Sequence, residues 1–91
     1  MVRVSAEPNG EDWVCEVSVG HAGQSTRHTV TVTRADLERW AAGTERGDVE
    51  KLVSQSFDFL LEREPPSSIL ASFDLSVIRR YFPEYDAAFL R

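Results

Sequence analysis

Four sets of residues in this 91-residue chain could do chemistry. Cys15 and His28 are the first. Alternating patterns place both on the inner face of a sheet. If Val19 pairs with Thr26, Val17 opposes His28 and Cys15 opposes Val30, so Cys15 lies diagonal to His28 at roughly 7 Å between backbones. A nucleophilic dyad needs the imidazole within reach of the sulfur, an orienting third group and a cleft. An enzymatic pocket would have to form around Cys15, His28 and Trp13, and no neighbouring residue type supplies the missing parts. The expectation is a core cysteine and a satisfied histidine, with no catalytic residues.

The other three sets are weaker as chemistry. His21 sits in a glycine-flanked loop, and as a metal ligand it would need converging partners among His28, Glu11, Asp12 and Glu45; no metal site is expected. The loop lacks the glycine spacing of a phosphate cradle. Glu62 and Glu64 end a helix, where solvated carboxylates are the ordinary outcome and nothing promises the burial that would tune a proton donor. Arg79-Arg80-Tyr81-Phe82 is the basic–aromatic cluster of the chain. Arginine and aromatic side chains bind RNA through phosphate contact and stacking, and they also anchor protein interfaces. Two arginines followed at once by Glu84 and Asp86 give a thin footprint for a polyanion, so a protein contact is the stronger reading.

These groups hang on elements the sequence spells out. Val2, Val4 and Ala6 alternate with Arg3, Ser5 and Glu7, and Pro8-Asn9-Gly10 supplies a turn. Trp13, Cys15, Val17 and Val19 form the apolar side of a second strand. After the loop 20–25, residues 26–33 alternate again, with His28, Val30 and Val32 inside. Short connections predict an antiparallel meander. Its outer face (Arg3, Ser5, Val14, Glu16, Ser18, Arg27, Thr29, Thr31) is polar and free of aromatics, unlike an RNA-binding sheet. Strand three carries Thr29, Thr31 and Thr33 with no Lys or Pro to blunt it. It reads either as an open edge inviting a second copy or a peptide, or as an edge covered by a helix or loop.

The period then changes from 2 to 3.6. Thr33-Arg34-Ala35-Asp36 resembles a capping box opening a helix to about residue 42, with Gly43 as its C-cap. Asp48 is placed as the cap of the next helix, where Val49, Leu52, Val53, Ser56, Phe57, Leu60 and Leu61 recur at i, i+3, i+4. Pro65-Pro66 stops it. Ser67 opens a short turn, Asp74 caps a further helix, and Pro83 starts a last one carrying Tyr85 and Phe89. The expected fold is α+β, one domain: a three-stranded antiparallel meander (1–33) followed by three to four helices packed on one face (34–91), with the 49–61 helix as the main cover.

Composition narrows the function classes. The chain is 42% hydrophobic and 27% charged, with a net charge of −5, which suits a folded acidic domain and disfavours nucleic acid. Nine of its ten bases are arginine, pointing to a GC-rich bacterial genome. The single cysteine permits no internal disulfide. The N-terminus lacks an apolar h-region and no segment approaches the ~20 apolar residues of a membrane span, so a cytoplasmic setting without membrane contact is expected.

Residues 28–39 (HTVTVTRADLER), 56–65 (SFDFLLEREP), 68–70 (SIL) and 73–85 (FDLSVIRRYFPEY) together resemble a small bacterial protein family without an assigned function. The resemblance spans about two thirds of the chain and implies a stand-alone protein but no activity. The β-β-β-α order also resembles three-stranded DNA-binding folds, which are basic where this chain is acidic. The functional expectation is a non-enzymatic protein-interaction or regulatory module, without cofactor, that meets a protein partner or a second copy of itself. Its interaction surface is placed at Arg79, Arg80, Tyr81, Phe82, Tyr85 and Phe89. The alternative is a nucleic-acid-binding accessory protein acting through Arg79 and Arg80.

Overall fold

The computed structural model describes residues 1–90, with His21 described by its backbone alone. The His21 side chain, weighed above as a metal ligand, lies outside the described residues. The fold is α+β. Strands β1 (Val2–Asn9), β2 (Asp12–His21) and β3 (Gln24–Val32) come first; α1 (Arg34–Trp40), α2 (Arg46–Leu61), a 3-10 turn (Pro66–Ser68), β4 (Ser72–Asp74), α3 (Val77–Tyr81) and α4 (Glu84–Phe89) follow.

The β2–β3 hairpin has the register considered above as a condition: Val19 opposes Thr26, Val17 opposes His28 and Cys15 opposes Val30. One residue of slip would turn the Val, Cys and His side chains out to solvent, so burial fixes the register. Turn chemistry agrees with it. The β1–β2 loop is Gly10-Glu11, with Gly10 at φ 65°. The β2–β3 loop is Ala22-Gly23, both at positive φ (52° and 79°), the type I′ geometry that matches strand twist.

The third strand is not an edge, and here the structure corrects the sequence. The sheet has four strands in the order β1-β2-β3-β4. β4 runs parallel to β3, opposing Ser72 to Thr29 and Asp74 to Thr31. The Thr29 amide donates to Ala71 O (2.8 Å) and the Leu75 amide to Thr31 O (2.9 Å). Strand addition at Thr29 and Thr31 is thus already made from within the chain. Thr33 is not a strand residue at all: its hydroxyl accepts from the Asp36 amide (3.1 Å) while Asp36 accepts from the Thr33 amide (3.0 Å), the expected capping box. Asp74, expected to cap a helix, ends β4 instead, and Ser76 precedes α3.

The α2 helix begins three residues earlier than its apolar pattern suggested. Glu45 is the N-cap, and Asp48, at the third helical position, accepts from the Glu45 amide (3.1 Å). Gly43 does not cap α1, which ends at Ala41; a Cβ at Gly43 would stand 2.5 Å from the Asp48 carboxylate. The inward face of α2 (Val49, Leu52, Val53, Phe57, Leu60) meets Ala6, Cys15, Val17, Val19, Val30 and Val32 in one core, joined by Leu37, Trp40, Ile69, Leu75, Ile78 and Tyr85. No helix is long and apolar enough to cross a membrane among the described residues.

Candidate functional site

The six residues proposed as an interaction surface separate into three environments. Tyr85 is fully buried (0% exposed). The Ser56 hydroxyl donates to Leu52 O (2.7 Å), so the Tyr85 hydroxyl donates in turn to Ser56 Oγ (2.7 Å). Burial pushes the Tyr85 phenol well above its ordinary range. Its ring meets Trp40 edge-on at 5.1 Å and Phe59 at 5.3 Å, and stacks on Phe89 at 4.4 Å. Phe82 and Phe89 are half-buried against that core, each edge-on to Phe59. Tyr81 is 69% exposed. The reason lies in the break at Pro83: α3 and α4 are separate short helices, and only α4 turns an aromatic toward Ser56.

The arginines separate as well. Arg39 and Arg63, not singled out from sequence, close the C-terminal helix onto the rest. Arg39 grips Asp86 with two nitrogens (2.9 and 2.6 Å), and Trp40 Nε1 donates to the same carboxylate (2.9 Å). Arg63 lies 3.5 Å over the Phe59 ring and reaches Glu84 (3.3 Å). Arg79 is 6.0 Å from the Trp40 ring and adds its charge to the field at Asp86. Arg80 is exposed, with no ion pair or side-chain hydrogen bond to a described residue. Arg79 is thus engaged with Trp40 and the field at Asp86, and Arg80 has no such partner among the described residues.

The hydrogen bonds from Arg39 and Trp40, aided by the nearby guanidinium charges, hold the Asp86 carboxyl down at about 2. An unfolded aspartate titrates near 3.9. A depressed folded value gives stability that is present above pH ~4 and lost as pH falls toward 2. Thermal melts between pH 7 and 2 should show it. Asp86→Asn should melt below the wild type at neutral pH and converge on it near pH 2; curves that stay parallel would remove Asp86 from the acid response.

Cys15 and His28 do not form a dyad. Cys15 is completely buried, and desolvation, with the negative charges of Glu50 and Glu16, pushes its thiol up to about 12. His28 Nδ1 sits 2.7 Å from Leu70 O, which can only accept, so Nδ1 carries the proton. Nε2 lies 2.9 Å from Thr26 Oγ1. Both ring nitrogens are used: Nδ1 ties β3 to the segment before β4, while the contact of Nε2 stays within β3. Among the described residues, no three His, Cys, Asp or Glu side chains gather closely enough to hold a metal ion.

What remains open is an apolar groove that sequence reasoning missed. It has a volume of about 440 Å³ and runs between the end of α2, the 68–73 segment and α3. Leu60, Ile69 and Ile78 form its floor; Leu70 (49% exposed), Phe73, Val77 and Tyr81 form its walls. Glu64 stands in the lining. Helical spacing sets Arg80 about 60° from Val77 and about 100° from Tyr81, on the solvent side of α3 and outside the groove lining. The Val77–Tyr81 spacing of i, i+4 was the one available signal, and its other wall comes from a segment with no regular period. Comparison with protein-family models, with curated proteins and with solved structures finds no match to this chain.

Proposed function

We propose that the chain is a protein-interaction module that works by binding and not by catalysis, and that its docking surface is the groove walled by Leu70, Phe73, Val77 and Tyr81. The observation that carries this reading is the juxtaposition of two large exposed apolar side chains, Leu70 and Tyr81, across a groove floored by core residues. Of the other C-terminal aromatics, Tyr85 is fully buried and Phe82 and Phe89 are half-buried against the core, and the arginines nearest them are engaged by Asp86 and Glu84. Arg80, exposed just beyond Val77, has no ion pair to a described residue in a chain of net charge −5. The occupant that fits is a short partner segment offering two or three large apolar side chains with a carboxylate beside them for Arg80.

The test is selection of peptides from a displayed random library on the immobilised wild-type chain, with counter-selection on Tyr81→Ala. Exposed Tyr81 carries little of the fold, so the variant should keep its stability within about 0.5 kcal/mol. It should lose about 2 kcal/mol of affinity, as a central aromatic anchor does. Selected peptides should carry acidic-flanked apolar residues and shift the NMR signals of Leu70, Phe73 and Val77. Peptides that bind Tyr81→Ala equally well, or that shift the outer sheet face instead, overturn the assignment.

A further inference from the structure

With β3 covered, the long open margin of the sheet is β1, eight residues from Val2 to Asn9. Met1 and Gly20 exchange both backbone bonds (2.8 and 2.7 Å), which makes them a hydrogen-bonded pair. In an antiparallel ladder such pairs alternate, so Arg3, Ser5 and Glu7 also bond inward to β2. The peptide groups of Val2, Val4 and Ala6 therefore point away from the sheet, along the free margin. One of these donors is already occupied. The Ala6 amide donates to Glu50 Oε2 at 3.0 Å, a side chain brought over from α2 and held there by its neighbour Val49 and by Val53, both fully buried. Pro8, two residues on, has no amide to offer. A proline and an inserted carboxylate are both devices by which sheets keep an edge from pairing.

We propose that β1 is the edge through which this chain pairs with a second copy of itself, and that Glu50 guards it. The sequence of β1 is complementary to itself when two copies run antiparallel about a two-fold axis at Ser5. Val4 then faces Ala6 of the other copy in a hydrogen-bonded pair, twice over. On the outer face Arg3 stands opposite Glu7 of the other copy, again twice, and Ser5 opposite Ser5. Arg3 has no ion pair to a described residue, and Glu7 has only a 3.9 Å approach from Arg46 at a well-exposed position. The alternative centre at Arg3 would set two guanidinium groups against each other. Centres at Val4 or Ala6 leave Arg3 opposite Ser5 or Asn9, so the centre at Ser5 is the one that pairs opposite charges, and in that register the Ala6 amide must leave Glu50 to reach Val4 O of the second copy. The carboxylate competes for the same donor that pairing needs.

The experiment is molar mass by light scattering over a concentration series, for the wild type and for Glu50→Ala, Glu50→Gln, and Glu50→Ala combined with Arg3→Glu or with Arg3→Glu and Glu7→Arg. Circular dichroism checks that each is folded. Glu50→Ala should dimerise roughly thirtyfold more tightly than the wild type, the effect of freeing one hydrogen-bond donor in each of the two copies. Glu50→Gln, which keeps a side-chain oxygen for the Ala6 amide, should stay close to the wild type. Adding Arg3→Glu should abolish the dimer, and the charge-swapped triple variant should restore it. A Glu50→Ala chain that associates no more tightly than the wild type, or a dimer indifferent to Arg3→Glu, overturns the proposal. If Glu50→Ala is unfolded, the Arg3→Glu and swapped pair in the Glu50→Gln background decide it by the same loss and recovery. Tyr81→Ala, on the far groove, should leave every one of these masses unchanged.

Discussion

Tyr85→Ala should lower the unfolding free energy by about 3–5 kcal/mol, the range for truncating a fully buried aromatic. A domain of this size has roughly 5–15 kcal/mol in total, so the variant stands at the edge of folding. Three losses combine. The ring leaves a void bounded by Trp40, Phe59 and Phe89. Ser56, fully buried, keeps its bond to Leu52 O but loses the hydroxyl that donates to it. Helix α4, six residues long, loses its one fully buried anchor and keeps the half-buried Phe89 against Phe59, the Trp40 bond to Asp86, and the grips of Arg39 on Asp86 and Arg63 on Glu84. Tyr85→Phe separates these parts. It retains the packing and removes one hydroxyl, so about 1 kcal/mol is expected. Urea unfolding of the two variants tests the split. An Ala variant within 1 kcal/mol of the wild type would mean that Tyr85 is not in the core. A Phe variant as damaging as Ala would make the hydrogen bond to Ser56, and not the ring, its main contribution.

That same residue shows where sequence reasoning stops. Tyr81 and Tyr85 sit four apart and would share one face of a continuous helix, so periodicity treats them alike. Pro83 ends that equivalence by starting a new helix, and the partners that bury Tyr85 are Ser56 and Trp40, 29 and 45 residues away in sequence. By contrast the meander was legible, and the β2–β3 register followed once Val19 was set opposite Thr26, because each strand is half-buried and its alternation has one correct phase. The face of α2 was legible for the same reason at the other period. β4 was not, because Ser72-Phe73-Asp74 is three residues with one apolar member. Parallel pairing with β3 is a long-range event that no local pattern announces. With β4 hidden, the sequence left the β3 edge either open or covered by a helix or loop, and neither a covering strand nor the groove that β4 helps to wall could be foreseen. Glu50 was equally invisible: on α2 it reads as one more solvated carboxylate, and only the backbone direction of β1 gives it a partner.

The attachment of β4 leads to the second large effect. Phe57 is fully buried, 5.3 Å from His28 and 6.1 Å from Phe73. It sits where α2 meets both β3 and β4. Phe57→Ala should destabilise the chain by about 3–5 kcal/mol, and the damage should not be evenly spread. β1 and β2 are joined along eight residue pairs, whereas β4 is joined to β3 along three. What holds β4 is a short ladder, the His28–Leu70 hydrogen bond and the apolar seat of Phe73. Removing Phe57 empties that seat and loosens the histidine, so β4 should open in advance of the remaining sheet. Native-state hydrogen exchange reads this directly. The Thr29 amide, which donates to Ala71, and the Leu75 amide, which donates to Thr31, should lose more protection than amides between β1 and β2. Uniform loss across the sheet would mean that β4 is an integral part of one cooperative unit. Selective loss would have a further consequence. Opening β4 exposes the Thr29-Val30-Thr31 edge, a strongly β-prone margin without lysine or proline, so the variant should aggregate with concentration as soon as its exchange becomes uneven.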